Sequence, residues 1–429
     1  MTDYKGSIIC LGGSVESLPI VQKVMSMGYR PIVLDGNENC VVNKWMTNRE
    51  THFRLSFGYG LRQSIIFLKA NCYDYNSCHK ALIWAETKEF FKYDNETFKL
   101  DDLRGVLCCA VDAPLVCAQL AERYHLPTIG VEAARYGVNK HWQQERLDKF
   151  GILTPHTKVV NPEMSWAEVS EYNLVKPVDS RGARGVRFYT ALDYREAFVE
   201  ALDYSPTKMI VAQRFIPGTQ LSTESVVYNG EIQMTSVAER NYDRLKEFAP
   251  YIVEDGCDST PPSRLNRQIN SLLERACQAL GWNNCTVKGD LILDSNLLYI
   301  LELAPRLSGG FLSSHTTPLS IGWDILSDAI GLSVGEKPNL YLSRVKQFVS
   351  QRYVFPNSRD VGKLISKLPQ FPSTVNFGTW NVKVGDRIKP TQNHPARLGQ
   401  VICTGETYTE AVSKATAAVN KLIEEIEIE

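Results

Sequence analysis

The sequence predicts a chain of mixed α/β and α+β class with more than one domain. The chain opens with a strand–turn–helix–strand run of the kind that builds a parallel sheet. Its second half carries antiparallel hairpins with polar turns. Its 429 residues exceed what one hydrophobic core usually supports.

The opening run is Ser7–Leu11, a short apolar strand, followed by the turn Gly12-Gly13-Ser14. Leu18, Val21, Val24 and Met25 then recur on one helical face, Gly28 ends that helix, and Arg30–Asp35 reads as the next strand. A segment around 43–70 has no regular pattern. Gly105–Ala110 is a further buried strand, Leu115–Tyr124 a helix, and Leu126–Gly130 a short strand. Residues 1–130 therefore read as a doubly wound, Rossmann-like domain. The Gly12-Gly13 turn lacks the full dinucleotide fingerprint, because Glu16 stands three residues after Gly13, where an acid opposes a pyrophosphate. Tight packing is the preferred reading of that turn.

Composition narrows the classes of function. The formal net charge is -1, with 44% hydrophobic and 22% charged residues, so composition gives no support for a nucleic-acid face. The eleven cysteines are scattered, without a CxxC pair, and Cys108 and Cys109 read as small buried hydrophobes in a reduced cytoplasmic setting. The N-terminus has no signal-peptide pattern, and no apolar run approaches the roughly 18 residues of a membrane span.

Two segments carry chemistry. In Leu174–Phe188, a strand delivers Lys176, a turn with Gly182 and Gly185 follows, and a strand from Val186 to Tyr189 returns. Glycines there let backbone N–H groups approach an anion, while the lysine and arginines supply charge; a plain solvated hairpin is the alternative. In Gly289–Gly310, two strands (Asp290–Leu293 and Leu298–Leu303) flank an Asp-Ser-Asn turn, placing Asp290 and Glu302 side by side on one sheet. Two acids in an apolar hairpin need a partner, and magnesium takes carboxylate oxygens together with phosphates. Arg306 then suits a phosphate clamp. The alternative is an ion pair between Glu302 and Arg306, with Asp290 exposed at a strand end.

In this order the pieces resemble the ATP-grasp superfamily, from about Ile8 to the C-terminal helix. Gly137–Lys140, a helix with Gln144 and Leu147, and Phe150–Pro155 are similar to the entry into its ATP domain. The resemblance implies that Lys140 and Lys176 contact the phosphates, and that Ser180–Val186, with Ser180, Gly182 and Gly185, forms the flap over them. Gln213-Arg214-Phe215-Ile216 would be the adenine hinge, read by backbone groups at Arg214 and Ile216. Gln220 would stand at the ribose, with Glu224 further along that strand. Asp290 and Glu302 would be the metal carboxylates, and Arg306 the residue that steadies an acyl phosphate. Gln213 and Gln220 replace usual glutamates, and Ala304 replaces a usual metal-binding asparagine.

The segment from Val384 to Leu422 resembles the closing domain of glycinamide ribonucleotide synthetase, biotin carboxylase and the L-amino-acid ligases. It is expected to complete the cleft by packing more than by chemistry. The implied domains are 1–130 before the ATP-grasp unit, 131–335 for that unit with a lid at about 155–215, and 336–429 closing. The implied activity joins a carboxylate to an amine with ATP and Mg2+ (or Mn2+), through an acyl phosphate. Activation of bicarbonate or formate, and a non-catalytic nucleotide-binding role, are the alternatives. Substrate contacts are expected at Arg240, Lys288, Gly309, Gly310 and His315. The implied partners are small molecules, with neither nucleic acid nor membrane, and a homodimer is compatible with the resemblance.

Overall fold

Strand alternation organises this chain. The computed structural model describes residues 4–47, 65–87, 98–259, 264–344, 347–356 and 361–429. Most of the unpatterned segment around 43–70 lies outside these residues. Its described ends are a helix, Val41–Thr47, and a strand, Ile66–Lys69.

The N-terminal sheet is four-stranded and parallel, in the order Ile66–Lys69, Arg30–Asp35, Ser7–Leu11, Leu103–Cys108. Its two central strands, Ser7–Leu11 and Arg30–Asp35, are buried on both faces, so they read as continuous apolar runs. Gly12 has a φ of +99°, and a Cβ there would come within 2.4 Å of Val111 Cγ1, which supports the tight-packing reading of the turn. The strand expected at Leu126–Gly130 does not form. Leu126 N–H instead donates to the Ala121 carbonyl, closing the helix Pro114–Arg123, and Pro127 has no N–H to extend a ladder.

A second sheet holds four antiparallel strands, ordered Thr157–Val160, Ile210–Gln213, Leu174–Pro177, Arg187–Phe188. Tyr189, Phe198 and Ala197 pack behind it, on the helix Tyr194–Asp203 and its approach.

The central sheet has eight antiparallel strands, starting with the hairpin Leu297–Ala304 and Cys285–Asp294, then Thr219–Tyr228 and Glu231–Asn241. It continues through Gly256–Ser259, Phe348–Val354, Gly399–Gly405 and Phe377–Trp380, so the C-terminal segment extends the same sheet. Leu221, Val287, Leu291 and Leu303 point to one face and pack on Ile269, Leu273 and Ala276 of the helix Arg264–Leu280. The opposite face takes the intervening residues, including Gln220, Ser222, Lys288, Asp290 and Glu302. Ser295 and Asn296 both have positive φ in the hairpin turn, as a two-residue turn of this kind requires.

All eleven cysteines are free thiols. No helix among the described residues is long and apolar enough to cross a membrane.

The C-terminal strands are tied to the sheet by a buried ion pair. Arg352 donates to both oxygens of Asp258, at 2.7 and 2.9 Å, with side chains 10% and 5% exposed. Asp258→Ala leaves that guanidinium buried without its partner. It should lower unfolding free energy by about 3–5 kcal/mol, read as a reduced denaturation midpoint.

Candidate active site

The three larger sheets meet at one cleft of about 930 Å³, within the range of small-molecule sites. Its lining includes nine lysines and arginines against six carboxylates, a balance suited to an anionic ligand.

The two acids of the central hairpin stand directly opposite one another, Asp290 against Glu302. The turn alone would not place them so. A bulge between Asp290 and Leu291 leaves Leu301 unpaired, because Leu291 pairs with Ile300. Both carboxylates therefore project from the same face into the cleft.

Each acid is held by cations. Asp290 contacts Lys288, Arg240 Nη1 at 3.1 Å and Ser222 Oγ at 3.4 Å. Burial works against its ionisation, but Lys288 and Arg240 outweigh that and hold the carboxyl down at about 2. Glu302 Oε1 lies 3.4 Å from Lys140 Nζ, which also donates to the Ser180 carbonyl at 2.8 Å. Burial and the nearby Lys140 charge bring Lys176 down to about 8, against the pull of Glu302 and Asp290.

Arg306 does not pair with Glu302, and Asp290 is not exposed, so the ion-pair alternative fails. Arg306 Nε donates instead to Asp112 Oδ1 at 2.9 Å, across to the N-terminal sheet. Burial would raise the Asp112 carboxyl, but Arg306 outweighs it and keeps it below the usual range.

Among the expected hinge residues, Gln213, Arg214, Ile216 and Gln220 line the cleft. Arg214 N–H is committed to the His156 carbonyl at 2.9 Å, and Phe215 N–H to Asn173 Oδ1. The Arg214 carbonyl is the group left to meet a base edge there. In the flap, Ser180 and Gly182 line the cleft, and Gly182 has the positive φ expected of a turn glycine. Arg240, Lys288, Gly309 and Gly310 line it as well.

Three expected residues stand outside it. Gly185 faces the helix Tyr194–Asp203, where a Cβ would sit 3.1 Å from Ala201 Cα, so its smallness serves packing. Glu224 is fully buried and accepts from Ser308 N–H at 2.9 Å and Ser313 Oγ at 3.0 Å, bracing the loop after Arg306 from beneath. His315 packs against Phe377 with ring centroids 3.9 Å apart and planes tilted by 33°, and burial pushes it down to about 4.

The sequence reading missed Asp112, Glu16, Glu254 and Arg397. Asp112 follows the end of a parallel strand, where α/β sheets place ligands, and that signal was present. Glu16 reaches the cleft from the glycine turn, with Gly309 and Gly310 pressed against it. Burial raises its carboxyl, with Gly310 N–H, Arg397 and Arg306 opposing. Arg397 had no signal beyond preceding a strand. It brings charge from the C-terminal segment into the cleft that this segment was expected to complete.

Comparison with known proteins fits this geometry. Residues 138–310 match the family model of the ATP-grasp domain. These residues form an ATP-grasp domain. Residues 375–427 match the L-amino acid ligase C-terminal domain 2. The carbamoyl phosphate synthase large chain of Rubrobacter xylanophilus is 21% identical over 351 residues, covering 78% of this chain and 31% of that one. The chain thus spans about a third of that relative's length. An L-amino acid ligase from Bacillus licheniformis superposes with a TM-score of 0.73 at 16% identity, covering 100% of this chain and 99% of that one. A phosphoribosylglycinamide synthetase from Anaerococcus prevotii gives 0.66 at 17%, covering 99% of both. At such identities the likeness shows the fold, an ATP-grasp arrangement running across the whole chain.

Beneath the ATP-grasp cleft, Glu224 offers a measurable titration. Burial raises its carboxyl from 4.5 to about 7, against the Ser308 and Ser313 hydrogen bonds. The folded state then holds a proton between those values that the unfolded chain releases, so stability falls as pH rises through that window. Glu224→Gln keeps the acceptor and removes the titration. Its denaturation free energy should lose a slope of on the order of 2–3 kcal/mol between pH 4.5 and 7.

Proposed function

We propose that the protein is an ATP-dependent ligase that joins a carboxylate to an amine, with amino acids or peptides as substrates, releasing ADP and phosphate. The observation that carries this reading is the facing pair Asp290 and Glu302, ringed by Lys140, Lys176 and Arg306 within one cleft. The match of residues 375–427 to an L-amino acid ligase domain favours amino acid substrates.

The donor set suits magnesium. Two carboxylates lie side by side, one of them held ionised to about pH 2, and phosphate oxygens with water would complete the octahedral shell. Ala304 supplies no further ligand from that strand. A magnesium ion held there would neutralise triphosphate charge; the remaining work falls to the protein's own groups.

Lys140 and Lys176 lie where they can offset the phosphates, so a substrate carboxylate can approach the γ-phosphorus. A carboxylate oxygen attacks that phosphorus, ADP leaves, and an acyl phosphate forms. The amine nitrogen then attacks the acyl carbon, and phosphate leaves. Arg306, oriented by Asp112, is placed to stabilise the oxyanion of that step. Glu16, raised by burial, is suited to take the proton that the amine loses. The 180–186 turn shields the intermediate from water: Arg181 stacks on Tyr73 at 3.6 Å, and the Gly182 carbonyl accepts from His394 N–H at 3.0 Å.

The test is phosphate release from Mg·ATP with pooled amino acids, organic acids and bicarbonate, singly and in pairs. Release that needs an acid and an amine together, with a product mass equal to both minus water, is the expected result. Release with bicarbonate alone would move the reaction to carboxyl phosphate formation. No release from any mixture would leave a non-catalytic nucleotide binder and end the ligase reading.

Arg306→Ala should cut turnover by about 100-fold or more while Mg·ADP affinity, measured by calorimetry, stays within about twofold. Lys176→Met, unlike Arg306→Ala, should weaken Mg·ADP by about tenfold or more.

A further inference from the structure

The far side of the cleft holds a group of charges that nucleotide chemistry does not use. Arg397, just before the strand Gly399–Gly405, lies flat over the Tyr353 ring with its guanidinium 3.4 Å from the centroid. Its Nη2 lies 3.4 Å from Glu254 Oε2. Arg240 reaches the same oxygen at 2.7 Å through its own Nη2. The two arginine side chains are only 12% and 11% exposed.

This arrangement is incomplete as an ion-pair network. Nε of Arg240 and Nε of Arg397 are both buried without a hydrogen-bond partner. Buried donors of this kind ordinarily find an acceptor. Three cations, Arg240, Arg397 and Lys288, share Glu254 and Asp290, and Glu16 also acts on Arg397. A cation taking Asp290 would release Arg240 and Lys288 from that carboxylate, and an anion with a planar fork would then pair the arginines.

The position is close to the reacting centre. Tyr353, beneath Arg397, has its hydroxyl 3.2 Å from where a Cβ on Gly310 would sit, on the loop that follows Arg306. Glu16 feels the charge of both Arg306 and Arg397. Arg306 and Arg397 thus line the same cleft and both act on Glu16.

We propose that the acid substrate carries a second carboxylate, which does not react and is held by Arg397 and Arg240 while the first is activated beside Arg306. This rests on the ligase reading for the fate of the first carboxylate only. The substrate class is thus a dicarboxylic acid or an acidic amino acid.

The experiment is calorimetric titration of the full chain with succinate, glutarate, L-aspartate and L-glutamate. Each is compared with its monoamide: succinamate, glutaramate, L-asparagine and L-glutamine. Titrations are run with and without Mg·ADP, so that the carboxylate site is decided even if nucleotide binds nowhere, an outcome that would count against the ligase reading alone. At least one diacid should bind about tenfold or more tightly than its monoamide. Arg397→Lys, which keeps the charge but loses the fork, should erase that preference with Mg·ADP affinity unchanged, and Arg240→Lys should act in the same direction. Equal binding of a diacid and its monoamide, no binding of any diacid, or a preference that survives in Arg397→Lys would overturn the proposal. A merely structural Arg397 would shift the melting temperature without touching that preference.

Discussion

Two carboxylates on one sheet face, Asp290 and Glu302, impose a requirement on everything around them. Both lie mostly out of water, and Asp290 stays ionised there because positive charge is at hand. The protein supplies its own cations there: Lys288 and Arg240 at Asp290, and Lys140 at Glu302. Each of those cations comes from a different part of the chain. The acids therefore draw the helix Lys140–Lys149, the strand Glu231–Asn241 and the hairpin itself around one point.

The same balance links the cleft to its borders. Arg306, beside the acids, is held by Asp112 of the N-terminal sheet, and Lys140 anchors the root of the 180–186 turn through Ser180. On the other side Glu254 gathers Arg240 and Arg397, joining the C-terminal segment to the same charge network. An anionic ligand would enter a site whose cations are already fixed by protein carboxylates. Little reorganisation would then be needed when negative charge develops, which is the condition under which such groups are most effective.

Much of this was legible in the chain. The strands Ser7–Leu11 and Arg30–Asp35 have the ends expected of them, because runs of buried apolar residues bounded by glycines leave little choice. The hairpin at Asp290 and Glu302 was legible too, since its polar turn and alternating strands are local features. Leu126–Gly130 was not: its apolar residues suggested a strand, but a helix end took its first N–H and proline had none to give. Gly185, Glu224 and His315 carried the residue types of a site. Their neighbours in space, an adjacent helix, a braced loop and an aromatic contact, turned them to packing.

By itself the sequence determined the local periodicities, the turns, and the order of lysine, glycine turn, paired acids and arginine that marks the cleft. Those follow from contacts between near neighbours. Tertiary structure alone decided that a bulge at Leu301 sets Asp290 against Glu302, since register is a property of two paired strands rather than of either one. It also decided that Asp112, Glu16 and Arg397 complete the site. Each is an ordinary charged residue in its own segment, and gains its meaning only from charges brought beside it by chain folded from more than a hundred residues away.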